Sequence, residues 1–184
     1  MRKTLLCLVA AVGLTAAGAQ AQAWHTELGI QGGFVRLKPA GTNANDQTDV
    51  LFVPGFGLAQ AFPSPNALFL ITPIGDKVAL EPSLTGGVLT QAGSATLFQA
   101  GLRLDYAIAS GLYGAGGALA GHLSGTTGRL SGFEFGLQLA GGYRFHFSGP
   151  IHARVEANAQ FWKGAHGVPS TDTYGLLFGL SARL

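Results

Sequence analysis

Between residues 133 and 162 the chain sorts its side chains by parity. Phe133, Phe135, Leu137, Leu139, Gly141, Tyr143, Phe145 and Phe147 alternate with Glu134, Gly136, Gln138, Ala140, Gly142, Arg144 and His146. Ser148-Gly149-Pro150 then reads as a turn. After it Ile151, Ala153, Val155, Ala157, Ala159 and Phe161 alternate with His152, Arg154, Glu156, Asn158, Gln160 and Trp162. A helix would scatter these charges around its axis, whereas an extended strand collects them on one side. The segment is therefore a long hairpin with one apolar and one polar face.

The pattern recurs. Val78, Leu80, Pro82, Leu84, Gly86 and Val88 oppose Ala79, Glu81, Ser83, Thr85, Gly87 and Leu89. Phe98, Ala100, Leu102, Leu104, Tyr106 and Ile108 oppose Leu97, Gln99, Gly101, Arg103, Asp105 and Ala107. In 112–123, Tyr113, Ala115, Gly117, Leu119, Gly121 and Leu123 are assigned to the apolar face, and Leu112, Gly114, Gly116, Ala118, Ala120 and His122 to the other. The last strand sets Tyr174, Leu176, Phe178, Leu180, Ala182 and Leu184 against Gly175, Leu177, Gly179, Ser181 and Arg183. Residues 25–37 set Leu28, Ile30, Gly32 and Phe34 against Glu27, Gly29, Gln31 and Gly33, with Trp24 at the start. Residues 67–74 are apolar throughout, so their phase stays open. In the six strands 78–89, 97–108, 112–123, 133–147, 151–162 and 174–184, all eight charges share one face: Glu81, Arg103, Asp105, Glu134, Arg144, Arg154, Glu156 and Arg183; Glu27 joins them in the expected inward set.

Composition decides what the apolar face meets. Charged residues are 11% and hydrophobic residues 47% of the chain, against roughly 25% charged in a soluble domain. Disorder is excluded, because disordered chains are polar and highly charged. The pI of 8.9 looks basic, but it leans on Arg2 and Lys3, which belong to a short positive n-region. Without them nine basic residues face nine acidic ones, so no basic patch remains for nucleic acid.

Residues 1–23 read as a secretory signal peptide: Met1-Arg2-Lys3, an apolar stretch, then overlapping small-x-small sites with cleavage after Ala19, Ala21 or Ala23. An uncleaved N-terminal helix is the alternative. Cys7 leaves with the leader, so the mature domain, 24–184, is expected to contain no cysteine. No later uninterrupted apolar run reaches the 18 or so residues a spanning helix needs. An exported, charge-poor chain without a spanning helix has one other way to cross a bilayer, a closed barrel that pairs every backbone group. Eight strands are expected. Segment 50–62 is assigned to a long first loop or an extra hairpin above the membrane, because bacterial single-chain barrels have even strand counts. A soluble barrel would show the reverse polarity, with apolar residues inside.

Connections support one orientation. Gly75-Asp76, Ser110-Gly111 and Ser148-Gly149 are tight turns, assigned to the periplasmic side; 38–66, 124–131 and 164–172 are longer, and 92–94 is the short exception. Tyr106, Tyr113, Tyr143, Phe145 and Phe147 are expected to form one aromatic girdle, and Phe98, Phe133, Phe135, Phe161 and Tyr174 the other. Pro82 cannot donate to a ladder, so a local bulge is expected there.

The chain thus resembles the small eight-stranded outer-membrane β-barrel superfamily of the OmpA transmembrane domain, OmpX and the opacity-type proteins, over 24–184. The sharpest motif is the last strand, Tyr174 to Leu184, similar to that family's C-terminal insertion signal at Tyr174, Gly179, Leu180, Ala182 and Leu184. Leu184 replaces the usual terminal aromatic residue. The resemblance implies a bacterial outer-membrane location, contact with outer-membrane lipids and lipopolysaccharide, and the barrel-insertion machinery and periplasmic chaperones as partners during biogenesis. With this strand last in the sequence, a periplasmic peptidoglycan-binding domain of the OmpA type is not expected.

An eight-stranded barrel has an interior that side chains fill. The inward charges are expected to pair into a plug, since unpaired buried charges are costly. A narrow porin-like channel is the alternative. A lipid-modifying enzyme is the second alternative: lipid A deacylases among such barrels use His, Ser and Glu on the lipid-facing surface. Here His25, His122, His146 and His152 are assigned inward, and His166 with Ser170 and Asp172 is a loop constellation without an oriented acid. Dispersed histidines with no HExxH spacing give no metal site, Gly114-Ala115-Gly116-Gly117 lacks the Lys-Ser/Thr of a phosphate loop, and no cofactor is expected. The polar run 41–49 in the first long loop is a candidate surface-binding element.

Overall fold

The computed structural model describes residues 23–39, 47–49, 67–89, 95–125, 132–164 and 170–184. The leader with Cys7, the segment 50–62 and His166 lie outside the described residues. Nine strands follow in chain order: β1 (Glu27–Pro39), β2 (Gln47–Asp49), β3 (Ala67–Pro73), β4 (Val78–Leu89), β5 (Ala95–Ala107), β6 (Leu112–Gly125), β7 (Gly132–Ser148), β8 (Ile151–Gly164) and β9 (Thr171–Arg183). All pairings are antiparallel, and from β3 to β9 each strand pairs with the next. β1 pairs with β3 on one side and with β9 on the other, from Glu27↔Arg183 to Pro39↔Thr171. That second ladder closes an eight-stranded barrel. Closure leaves no sheet edge, the condition for strands to cross hydrocarbon.

β2 is an addition to the expected set. It pairs with the end of β1, Val35↔Asp49 to Leu37↔Gln47, so the region assigned to the first long loop begins as a strand continuing the wall. The tight turns stand as read. Gly111 has φ 74° and Gly149 has φ 53°, the left-handed region where a side chain is strained. Ile74 N–H donates to Val78 O at 2.9 Å across the first turn.

Three local expectations change. Pro82 makes no bulge: register with β5 runs unbroken through Pro82↔Leu102, and that with β3 keeps phase from Leu68↔Leu84 to Thr72↔Leu80. Proline lacks an N–H but its dihedral fits a strand, so the bonding weakens locally and the register does not slip. The register shift lies instead at His146/Ser148, beside the turn into β8. In β3, Ala67, Phe69 and Ile71 point inward and are buried, which resolves its open phase. In β6 the assigned phase is reversed. Tyr113 and Leu119 are buried inside, at 2% and 8% exposure, while Ala118 and Ala120 are exposed. The cause is register: Gly117 stands opposite Arg103 and Ala115 opposite Asp105, and cross-strand partners share a face.

The outer wall follows the sequence reading. Leu137 is 64% exposed and Phe135 62%, while Glu81, Asp105 and Glu156 are at most 1% exposed. A soluble protein does not arrange itself this way, and a bilayer-spanning barrel must. Tyr143, Phe145 and Phe147 face out near the turn end, with Phe133, Phe135, Phe161 and Tyr174 near the loop end. Tyr113 leaves the expected girdle for the interior.

Candidate functional site

The lumen holds the chemistry, and parity puts it there. β4, β5 and β8 each direct acidic or basic side chains inward at one height. Arg103 on β5 is the hub. Its Nη1 donates to Glu156 Oε1 at 3.0 Å and its Nη2 lies 2.8 Å from Glu156 Oε2, a forked pair. The same Nη2 lies 3.1 Å from Glu81, and Nε lies 2.9 Å from Asp105 Oδ1. Arg154 on β8 grips Glu81 with both terminal nitrogens, Nη2 at 3.1 Å, and also donates to Gln31. Tyr113 O–H donates to Glu156 Oε2 at 2.7 Å, and Asn158 donates to Oε1 at 3.1 Å.

A second group lies nearer the turn end. Glu27 accepts from Arg144 and from Ser181 O–H, the latter at 2.6 Å, and lies 3.0 Å from His152 Nδ1. Trp24 packs beneath it. Its ring sits 5.1 Å below the Arg144 guanidinium and edge-on to Tyr113 at 5.9 Å, and its Nε1–H donates to Lys77 O at 3.1 Å. The segment before β1 therefore folds into the mouth as a stopper. Toward the loop end the lining is mainly amide, with Gln31, Gln99, Gln138 and Gln160 around Trp162.

Eight of the predicted lumen charges are buried inside: Glu27, Glu81, Arg103, Asp105, Glu134, Arg144, Arg154 and Glu156. They do not form one network. Glu134 is remote from the arginines and accepts a 2.7 Å hydrogen bond from Gln99. Its height on β7 matches the glutamine tier. Arg183 has the inward parity but is exposed, because β9 ends at the mouth where water reaches it. Two histidine assignments also change. His122 follows the reversed phase of β6 and packs against outward Phe133, ring centroids 4.7 Å apart. His146 is exposed at the turn, its Nε2 2.7 Å from Gly149 O and its ring 5.5 Å from that of His152.

Sequence reading missed the apolar and small partners of the charges. Phe69 lies flat against Arg154, 3.7 Å from guanidinium carbon to ring centroid. A Cβ at Gly179 would sit 2.9 Å from Arg154 Cγ, and one at Gly117 would strike Leu102 O and Arg103. These glycines vacate the space the arginines fill. The available signal was inward glycine opposite inward arginine, legible once register is known. The outward face also carries charge beyond the strand stretches first compared. Arg36 and Lys163 are exposed and Asp172 is half-buried, all with outward parity near the loop end.

An apolar wall around buried ion pairs defines a small eight-stranded β-barrel of the outer-membrane kind. The sequence matches no protein-family model and no curated protein. Solved structures share the fold. Neisserial surface protein A is 11% identical, with TM-score 0.53, covering 89% of this chain and 99% of that one. The attachment invasion locus protein Ail of Yersinia pestis is 14% identical, with TM-score 0.51, covering 89% and 100%. The outer membrane protein AlkL is 12% identical, with TM-score 0.51, covering 91% and 93%. The chain has the fold of the small eight-stranded outer-membrane barrels.

Proposed function

We propose that the protein is an integral outer-membrane barrel with a structural, envelope-associated role, its lumen plugged by ion pairs and performing no catalysis. The carrying observation is Arg103, held by Glu156, Glu81 and Asp105 from three strands. A cation with that many fixed partners ties opposite walls together across the bore. Trp24 below it adds a second obstruction. In this reading the tight turns face the periplasm and the loop end faces outward. Lipopolysaccharide and other outer-membrane lipids surround the wall, and the insertion machinery engages the last strand. Ser181 and His152 both turn to Glu27, which supports positioning of the carboxylate and gives no nucleophile–base pair.

Planar-bilayer recording of the purified, folded protein tests the plug. The expected trace shows no steady openings, and steady large conductance would replace this reading with a porin-like one. Gel mobility that depends on heating, with a β-rich circular dichroism spectrum, tests the barrel itself; a helical spectrum would end it.

A further inference from the structure

The β7–β8 hairpin brings two histidines together at the turn end. His146 and His152 stand opposite each other in register, on either side of Ser148-Gly149-Pro150. Cross-strand partners share a face, and the two rings lie with centroids 5.5 Å apart, their planes at 78°. The register shift at His146/Ser148 and the left-handed Gly149, φ 53°, shape the turn between them. His146 is exposed, so solutes reach the pair from the turn end, whereas His152 is buried.

Each ring has one nitrogen committed. His146 Nε2 lies 2.7 Å from Gly149 O. A carbonyl only accepts, so Nε2 carries the proton and Nδ1 keeps its lone pair. His152 Nδ1 lies 3.0 Å from Glu27 Oε1. Glu27 is a carboxylate acceptor, already bonded by Arg144 and Ser181 O–H, so the His152 proton sits on Nδ1 and Nε2 keeps the lone pair. A histidine whose other N–H is held by a carboxylate or a backbone carbonyl is the usual form of a metal-ligating imidazole. This hairpin carries one of each.

Spacing selects the ion. Two imidazoles on one tetrahedral zinc, with metal–nitrogen bonds of about 2.0–2.1 Å, have their centroids about 5 Å apart, close to the observed 5.5 Å. Adjacent positions on a square-planar ion would draw them in to about 4.5 Å.

We propose that His146 Nδ1 and His152 Nε2 bind one zinc ion at the turn-end mouth, with Gly149 O and Glu27 orienting the rings from behind. Among the described residues no third His, Cys, Asp or Glu joins them as a ligand, so water completes the tetrahedron and the ion exchanges readily. Arg144, the cation beside the pair, is set against Glu27, and Arg183 at the end of β9 is exposed to solvent. The ion clamps the hairpin across the register shift, where the ladder is interrupted. The site does not depend on the lumen being closed.

Calorimetric titration of Zn²⁺ into the folded, tag-free full chain in detergent tests it. The expected result is one bound equivalent, weakened about tenfold or more in H146Q, since loss of an outer-shell partner alone costs that much. H25Q/H122Q/H166Q, which removes the other three histidines of the chain, should bind as the parent does. Nitrogen-15 spectra of the histidine-labelled parent protein should place zinc on His152 Nε2, with Nδ1 still protonated. No binding by the parent protein, unchanged binding in H146Q, loss of binding in the triple variant, or zinc on His152 Nδ1 would each overturn the proposal. Heat-dependent gel mobility, measured on every variant, separates these outcomes from a failure to fold.

Discussion

Arg103 shows how a buried charge is tolerated in a narrow lumen. Three carboxylates surround it, and Gly117 across the ladder leaves room for its stem. Removing Glu156 takes away the forked partner of the buried Arg103 guanidinium. E156A should therefore cost about 3–5 kcal/mol, the usual penalty for breaking a buried pair, measured as urea unfolding in vesicles. E156A also strands the Tyr113 hydroxyl and Asn158. G117V tests the space. Its Cβ would meet backbone, which cannot step aside, so a loss of about 1–3 kcal/mol is expected in the same assay. That Arg103, Glu81 and Glu156 share an interior was readable from parity. Which acid meets which arginine was not, because pairing depends on strand stagger.

At the scale of the element, β7 and β8 carry enough charge to fix their own phase. β6 carries none: its residues are Gly, Ala, Leu, Ser, Tyr and one His. Bulk misleads there, since a tyrosine suits a membrane interface or a lumen equally well. Its neighbours decide. β5 and β7 have charged inward faces, and antiparallel pairing transmits that phase across β6. Nitroxide labels at 118 and 120 should therefore collide freely with dissolved oxygen in a bilayer, while a label at 119 should not. The opposite order would reverse the strand. On β7, L137R places a charge on a position that is 64% exposed to lipid and should cost about 2–4 kcal/mol by the same unfolding measurement.

At the scale of the whole molecule, closure makes the barrel one cooperative unit. The β1–β9 ladder joins the first strand to the last over thirteen register pairs, from Glu27↔Arg183 to Pro39↔Thr171. No strand can leave without opening a polar edge to hydrocarbon. The two tryptophans sit at opposite ends, Trp24 under the turn-end charges and Trp162 in the glutamine tier, each at most 7% exposed. Single-tryptophan variants W24F and W162F should report the same denaturant midpoint, and separated midpoints would show the ends unfolding independently. The solved barrels of the same fold are 11–14% identical to this chain, so the architecture survives almost complete replacement of its residues.

Period two and the scarcity of charge were enough, read from the sequence alone, to set an antiparallel barrel with ions inside and hydrocarbon outside. Both are local properties, and a bilayer penalises every local violation of them. Stagger between strands is global, because each ladder inherits its offset from all the others around the ring. Only the closed structure therefore divided the lumen into an arginine cluster, a Glu27 group and a solitary Glu134. It alone turned β6 over and set Trp24 beneath Arg144 at the turn end.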